Sequence, residues 1–140
     1  MGQQQLLLIV LGVIVVGIAV VVGINLFNAN AETSTQDSIV SQGTNIGAMA
    51  QQYYKKPVAM GGGGNYFSTK AGGIGFAAYF AKLPAALQVS SDADWKTTPP
   101  TVTDTTVVLT AIPLDAGYAA RWTVTTTITP STITSSVNNK

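Results

Sequence analysis

Hydrophobic and polar residues follow one another along this chain in three successive patterns. Residues 6–24 are all Leu, Ile, Val, Ala or Gly, and the first charged residue is Glu32. Residues 39–53 place apolar side chains at helical spacing, and residues 87–137 contain stretches in which apolar and polar positions alternate. In order, these patterns predict an apolar helix, an amphipathic helix and an antiparallel sheet.

The apolar run at residues 6–24 is long enough to cross a membrane. At about 1.5 Å of rise per residue, it spans roughly 28 Å, close to the hydrocarbon thickness of a bilayer. Its many Val and Ile residues favour a strand by propensity, but the length of the run favours a helix, which satisfies its own backbone in lipid. The Leu, Ile and Val side chains together favour insertion by on the order of 6 kcal/mol. We expect this segment to enter a membrane at some stage.

A cleaved secretory signal is the alternative interpretation of the same run. Ala29-Asn30-Ala31 fits the small-x-small rule for cleavage, but the preceding cap, MGQQQ at residues 1–5, contains no Lys or Arg. We therefore expect residues 1–27 to be retained as a hydrophobic helix.

Residues 28–56 continue the helix as an amphipathic half. One apolar stripe consists of Ile39, Ile46, Met49 or Ala50, and Tyr53. Gly43 and Gly47 each lower helix propensity by about 1 kcal/mol relative to Ala, so we expect a bend or local loosening there. Pro57 ends the helix, because the residue before a proline is pushed out of the α region. The predicted helix covers residues 3–55.

Residues 57–140 predict glycine-rich loops and a Thr-rich β head. Residues 61–65 and 71–75 are loops, and the first is not a phosphate loop because no Gly-Lys-Ser/Thr follows it. Residues 76–83 predict two helical turns that end at Pro84. The predicted strands are 87–90, 105–112, 120–128 and 132–137, with turns at 114–117 and 130–131.

Alternation along the last two predicted strands separates an inner from an outer face. Trp122, Val124 and Ile128 share one face, Thr123, Thr125, Thr127 and Thr129 share the other, and Ile133 and Val137 are expected inward. This predicts a four-stranded antiparallel meander with one solvent-exposed face. We expect the other, apolar face of the sheet to pack against the stripe of residues 39–53. The predicted fold is α+β, with a long N-terminal helix packed on a small antiparallel sheet.

Composition narrows the classes of function. The chain has 140 residues, of which 46% are hydrophobic and 9% charged, with a net charge of +1 and neither Cys nor His. Without Cys and His, the chain cannot provide thiol catalysis, the usual zinc sites, haem attachment or iron–sulfur clusters. It also has no stripe of basic residues of the kind that binds nucleic acid. Asp92, Asp94 and Asp104 are interpreted as solvated loop acids rather than a calcium loop. We expect no enzyme activity, cofactor or metal.

A long helix that is hydrophobic in its first half and amphipathic in its second, packed on a small antiparallel sheet, resembles the subunits of the type IV pilin family. That family includes pseudopilins and archaeal pilin-like subunits. The resemblance covers residues 3–54 and the order of the sheet. The segments GQQQLLL at residues 2–8 and YYKKP at residues 53–57 are similar to uncharacterised bacterial pilin-like proteins. The resemblance implies trimming by a prepilin peptidase, insertion in the inner membrane, and extraction by a pilus assembly machinery into an extracellular filament at the cell surface.

The chain departs from the pilin pattern at the fifth mature residue, where pilins usually carry a glutamate thought to pair with a neighbouring N-terminal amine. If Met1 is the first mature residue, Gln5 takes that place; if cleavage follows Gly2, Leu7 does. We expect the first case, or no cleavage at all. Gln3, Gln4 and Gln5 can then form hydrogen bonds between subunits in a dry core, where an unpaired polar group is costly.

Assembly into a homo-oligomeric helical filament is also expected on physical grounds. An exposed hydrophobic helix is insoluble unless lipid or identical helices surround it, and contacts between copies that do not close on themselves give a helical fibre. The small positions Gly12, Ala19 and Gly23 share one face and allow close approach, although glycine is also common in ordinary transmembrane helices. The predicted subunit-packing residues are Gln3, Gln4, Gln5, Leu6, Leu7, Gly12, Val16, Ala19 and Gly23. The predicted helix-on-sheet core is Ile39, Ile46, Met49, Tyr53, Trp122, Val124 and Ile128. The alternative function is a single-span membrane-anchored protein with a small extracytoplasmic domain.

Overall fold

A computed structural model describes residues 2–140, so Met1, which the sequence analysis expects to be retained, lies outside the described residues. The fold is α+β, with a long N-terminal helix and an antiparallel sheet of five strands. The chain divides into two compact units, one that ends at Ser34 and one that covers Thr35–Lys140. We call the first the arm unit and the second the head unit.

The helix α1 extends over Gly2–Lys55, within one residue of the predicted start and at the predicted end. Its last carbonyls are capped by the glycine-rich loop that follows Pro57. The N–H of Gly63 donates to the carbonyl of Tyr53 at 2.8 Å, and that of Asn65 donates to Tyr54 at 2.8 Å. A side chain at Gly63 would collide with the carbonyl of Tyr66 and with the Tyr53 ring. These glycines therefore serve to close the C-terminal end of a helix.

The sheet contains two short and three long strands: β1 (Ala93–Asp94), β2 (Thr101–Val102), β3 (Val107–Pro113), β4 (Trp122–Ile128) and β5 (Ile133–Asn139). All pairs are antiparallel, in the order β1-β3-β4-β5, and β2 pairs with β3 on the same side as β1. Val124 lies opposite Ala111 of β3 and Val137 of β5. Three short α-helices and one 3₁₀ helix complete the head unit: α2 (Phe76–Ala81), α3 (Ala85–Gln88), α4 (Ala116–Ala119) and the 3₁₀ helix Val58–Met60.

Within the head unit, the C-terminal part of α1 lies directly on the sheet. A Cβ at Gly43 would collide with the Thr126 hydroxyl and lie 2.7 Å from Cη2 of Trp95. A Cβ at Gly47 would lie 2.9 Å from Cγ2 of Ile133. The chain remains α-helical through both glycines, without a break. These positions lack a side chain because the helix backbone approaches the sheet there.

An aromatic cluster fills the other end of the head unit, where α1 meets α2 and the glycine-rich loops. The Tyr53 ring lies 4.8 Å from that of Tyr79 and 5.9 Å from that of Phe76, in an edge-on arrangement with the latter. Phe67 contacts both Tyr54 and Phe76. Such offset and edge-on pairs stabilise a core beyond the area they bury.

Three sequence predictions about the head are wrong. Residues 87–90 form no strand: Leu87 and Gln88 end α3, and Val89 makes only an isolated bridge to Asp94. Gln88 is buried and its Nε2 donates to the carbonyls of Ala81 and Leu83, which holds this segment in a helical turn. The predicted turn at 114–117 is replaced by α4, which begins at Ala116 and is capped by Asp115, whose carboxylate accepts from the Gly117 N–H.

The third error concerns β5. Ile133 is half-buried as expected, but Val137 is 37% exposed. Val137 pairs with the buried Val124 and so shares its face, yet α1 contacts the beginning of β5 at Ile133. The prediction is therefore correct about the face on which Val137 lies and wrong about its burial, because α1 does not shield that end of β5 from solvent.

Candidate assembly surface

The feature most relevant to function is the exposed apolar surface of the arm unit. Its large side chains run from Leu6 to Phe27, and we call residues 6–27 the apolar segment. Every large apolar side chain in it is exposed, from 51% at Val10 to 73% at Phe27. Soluble monomers rarely expose a contiguous apolar patch of this size, so it marks a surface that contacts lipid or protein.

The apolar segment satisfies the length and composition of a membrane span. Among residues 2–140, one helix, α1, contains a window apolar enough to cross a bilayer, with a mean hydropathy of 3.3, and it lies near the N-terminus. Signal sequences share these features. The helical backbone satisfies its own hydrogen bonds, which an isolated strand of the same residues does not do in lipid.

The predicted subunit-packing residues all lie on this exposed helix. Gln3, Gln4 and Gln5 occupy its first turns and are exposed, followed by Leu6 and Leu7. Gly12, Val16, Ala19 and Gly23 recur at intervals of three or four residues and therefore lie along one side of the helix.

Glycine positions in the apolar segment differ sharply from those in the head. A Cβ added at Gly12, Gly17 or Gly23 meets nothing within 4 Å. In a single chain these glycines accommodate no neighbour, in contrast to Gly43 and Gly47. Small residues on a lipid-compatible helix permit a close approach of another helix backbone.

The predicted helix-on-sheet core lies in the head unit. Ile39, Ile46 and Tyr53 of α1 are at most 1% exposed, as are Trp122, Val124 and Ile128 of β4. Met49 is half-buried, and the adjacent Ala50 is fully buried. The amphipathic stripe fits either residue, but the predicted core names Met49, and the structure corrects this to Ala50, the smaller side chain, because the helix lies close to the sheet there.

Polar contacts attach α1 to the loops of the head. The Ser38 hydroxyl donates to Oδ2 of Asp92 at 2.7 Å, and Oε1 of Gln42 accepts from the Ser90 hydroxyl at 2.8 Å. Further along α1, Nε2 of Gln51 donates to the Thr129 carbonyl at 3.0 Å. Hydrogen bonds between half-buried groups fix the register of the helix on the sheet more than they add stability.

Some core residues of the head are absent from the predicted helix-on-sheet core. Trp95 is fully buried, as expected of a core aromatic residue, although it lies outside any regular alternation in the sequence. Thr126 is also fully buried, on the same face as Val124, and its hydroxyl bonds to that of Ser135 at 2.9 Å. The period of two along β4 predicts that Thr126 points to the core face. Because its polar side chain is the same as that of the neighbouring threonines on the other face, the sequence gives no sign that it is buried.

The candidate acids lie in separate surroundings. Asp92 bonds to Ser38, Asp94 accepts from the backbone N–H groups of Lys96 and Thr97, and Asp104 accepts from the Ser68 hydroxyl at 2.6 Å. Within residues 2–140, no three His, Cys, Asp or Glu side chains gather as metal ligands do. These carboxylates stabilise the loops that carry them.

Two of these carboxyl groups have perturbed acidities. Hydrogen bonds from the Ser68 hydroxyl and from the Lys70 ammonium, 2.9 Å away, lower the pKa of Asp104 below its ordinary value of 3.8. Partial burial raises the pKa of Asp94, but hydrogen bonds from Thr97 and Lys96 outweigh it and leave the pKa lowered. Both groups therefore favour the ionised form in the folded head.

Comparison with known proteins gives no match of any kind: no protein-family model, no curated protein sequence and no solved structure is significantly similar to this chain.

Proposed function

We propose that this chain is the structural, pilin-like subunit of an extracellular helical filament, in which the apolar segments of many copies form the core. The observation that carries the proposal is that one helix, α1, bears both a fully exposed apolar segment and the stripe that packs on the head. Such a chain can expose its head to water only if something else covers its apolar segment.

The energetic demand for a cover is large. Full burial of a Leu, Ile or Val side chain is worth about 1.5–3 kcal/mol, and the segment contains such residues along its whole length from Leu6 to Leu26. Two surroundings supply this burial: the hydrocarbon of a membrane, and the same segment of other copies. In the proposed sequence of events the first precedes the second, with insertion in the inner membrane before extraction into the filament.

One feature favours other copies as the final surrounding. The side that carries Gly12, Ala19 and Gly23 lets another helix approach closely, and contacts between copies that do not close on themselves generate a fibre.

The proposal also includes the partners that the resemblance to pilins implies. A prepilin peptidase and an assembly machinery supply the processing and extraction that a membrane-inserted filament subunit needs. The glutamines at positions 3–5 provide hydrogen bonds between copies in place of the charge that pilins place at the fifth position. A structural role of this kind requires no catalytic residue, cofactor or nucleic-acid contact.

The second candidate is a membrane-anchored protein that never polymerises, and the single span in α1 favours it. Electron microscopy of material sheared from producing cells, with mass spectrometry of the isolated fibres, separates the two. Fibres composed of this chain support the filament. A chain that stays in the membrane fraction without fibres under expressing conditions overturns it. The N-terminal peptide decides whether Gln5 or Leu7 stands fifth.

A matched substitution tests the packing side directly. Gly12→Leu and Gly23→Leu add bulk to the side proposed to contact another helix, and we expect each to shorten or abolish fibres. Gly17→Leu makes the same change about 120–140° around the helix, as expected at 3.6 residues per turn, so we expect a smaller loss. Equal fibre yields from all three variants would contradict the assignment of that side.

A further inference from the structure

The two edges of the sheet differ in how they are protected. At one edge, β1 and β2 are two-residue strands separated by a segment that contains Lys96, Pro99 and Pro100. Short strands, lysine and proline are the usual means by which proteins prevent edge-to-edge pairing. The edge formed by β1 and β2 is therefore a poor template for another strand.

The opposite edge, formed by β5, has none of these protections. Ile133–Asn139 runs for seven residues, and each of them pairs in register with β4. Its sequence, ITSSVNN, contains no charged residue and no proline. Within residues 2–140, no strand pairs with its outer side. In an antiparallel strand about every second residue directs its N–H and C=O away from its partner, so β5 presents a row of free backbone donors and acceptors.

Side chains at β5 also suit a second strand. Val137 lies on the core face of the sheet and is 37% exposed, so a strand added beside β5 would cover it further. The nearest charge in sequence, the Lys140 ammonium, is turned back onto its own chain and donates to the Ala119 carbonyl at 2.6 Å. Because β5 itself carries no charged residue, two copies of it can pair without like charges directly opposite one another.

We propose that β5 pairs antiparallel with β5 of a second copy of this chain, about a two-fold axis, so that one sheet continues across two heads. A second copy is the occupant because the only long, neutral and unprotected edge found in residues 35–140 is β5 itself. Pairing of β5 with the other edge of a second copy would align it with the segment that contains Lys96 and the two prolines.

This contact goes beyond the proposed filament. A two-fold contact closes on itself and joins copies in pairs, whereas a filament needs contacts that do not close. Copies that all point in the same direction along one filament are not related by a two-fold axis across it. The β5 contact would therefore join heads of neighbouring filaments and bundle them side by side.

The test uses the full chain in detergent micelles, where no filament is required, and exploits the absence of cysteine from the sequence. Single variants Ser135→Cys, Ser136→Cys and Val137→Cys are oxidised, with Ser91→Cys and Thr105→Cys as exposed controls outside β5. Opposed residues in an antiparallel pair have Cα atoms about 4.5–5.5 Å apart, which suits a disulfide. We expect one β5 variant, the one at the two-fold axis, to form dimers at least about tenfold faster than the controls because its thiols are held together.

A flat rate across all five positions overturns the proposal, as does faster cross-linking of β5 to a Thr101→Cys partner in mixed samples. Introduced lysines provide a second, independent test of the β5 contact. Thr134→Lys with Ser136→Lys places ammonium groups along β5, and Ser91→Lys with Thr105→Lys adds the same charge elsewhere. We expect the first pair to abolish the dimer seen by sedimentation and the second to retain it, with unchanged circular dichroism in both. A dimer that persists with Lys at 134 and 136 also overturns the proposal.

Discussion

The two parts of α1 bury their apolar residues in different ways. From Ile39 to Tyr53, one stripe of the helix packs on the sheet of its own chain and is excluded from water. From Leu6 to Phe27, apolar side chains cover all sides of the helix and every large one is exposed. A helix that is apolar all around needs partners all around, which a single small head does not provide.

Glycine has opposite meanings in these two parts. Gly43 and Gly47 lie where the helix backbone touches the sheet, whereas Gly12, Gly17 and Gly23 face open space in the single chain. The head unit therefore has a hydrophobic core of its own, and residues 2–34 of the arm unit have none. Substitutions in each part of the helix test this contrast.

An introduced lysine should have very different effects in the two parts of α1. Val16→Lys places an ammonium group in the apolar segment, at a cost of about 2.5–3.5 kcal/mol at the centre of a membrane span. We expect loss of membrane insertion and of fibres, measured by cell fractionation and electron microscopy. Ala48→Lys, on an exposed side of α1 in the head unit, is the control and should change neither. Normal fibres from the Val16 variant would contradict a buried role for the segment.

Truncation of an isoleucine separates head stability from assembly. Ile46→Ala empties a fully packed site and should lower the free energy of unfolding of the head by about 2–4 kcal/mol. Ile18→Ala removes the same atoms from an exposed site and should leave that quantity unchanged while it weakens assembly. Both tryptophans, Trp95 and Trp122, are buried in the head, so their fluorescence during urea titration in detergent reports the head alone. Equal losses in the two variants would remove the distinction.

A single added methyl group tests the glycines. Gly43→Ala gains about 1 kcal/mol in helix propensity but forces a Cβ against Thr126 and Trp95, so we expect a net destabilisation of the head of about 1–3 kcal/mol. Gly17→Ala gains the same propensity against open space and should not destabilise the chain. Thermal unfolding of both variants, followed by circular dichroism, measures the difference. A stabilised Gly43 variant would show that the helix does not touch the sheet there.

Acid should weaken the head by a smaller amount. Asp94 and Asp104 have pKa values lowered by folding, so their contribution is complete above the unfolded value of 3.8 and is lost as the pH falls through the folded values. The unfolding free energy should therefore begin to fall as the pH approaches 3.8 and should continue to fall below it. The double variant Asp94→Asn with Asp104→Asn should flatten this decline, whereas an unchanged slope would assign it to other groups.

The long elements of the fold were predictable because each repeats one pattern over many residues. The period of helical positions up to Tyr53 and the stop at Pro57 defined α1 to within one residue of its start. Alternation across Trp122, Val124 and Ile128 defined β4. The exposed candidate surface was predictable for the same reason, since a charge-free run of that length has no cover within a chain this small.

The short elements were not predictable, because tertiary contacts rather than local patterns determine them. The strands β1 and β2 consist of two residues each and exist through pairing with β3. The buried amide of Gln88 holds a helical turn where alternation indicated a strand. The close approach at Gly43 depends on Trp95, which is distant in sequence. No periodicity in one chain can reveal contacts of that kind.

The central claim is that other copies surround the apolar segment in the assembled state. A spin label attached to Val16→Cys in assembled material measures this directly by electron paramagnetic resonance. Helices packed at axis-to-axis distances of about 8–10 Å bring labels on neighbouring copies close together, so we expect strong spin–spin broadening that disappears on dilution with unlabelled chain. A spectrum without broadening, unchanged by dilution, would show that lipid rather than other copies surrounds the segment and would rule out the proposed filament core.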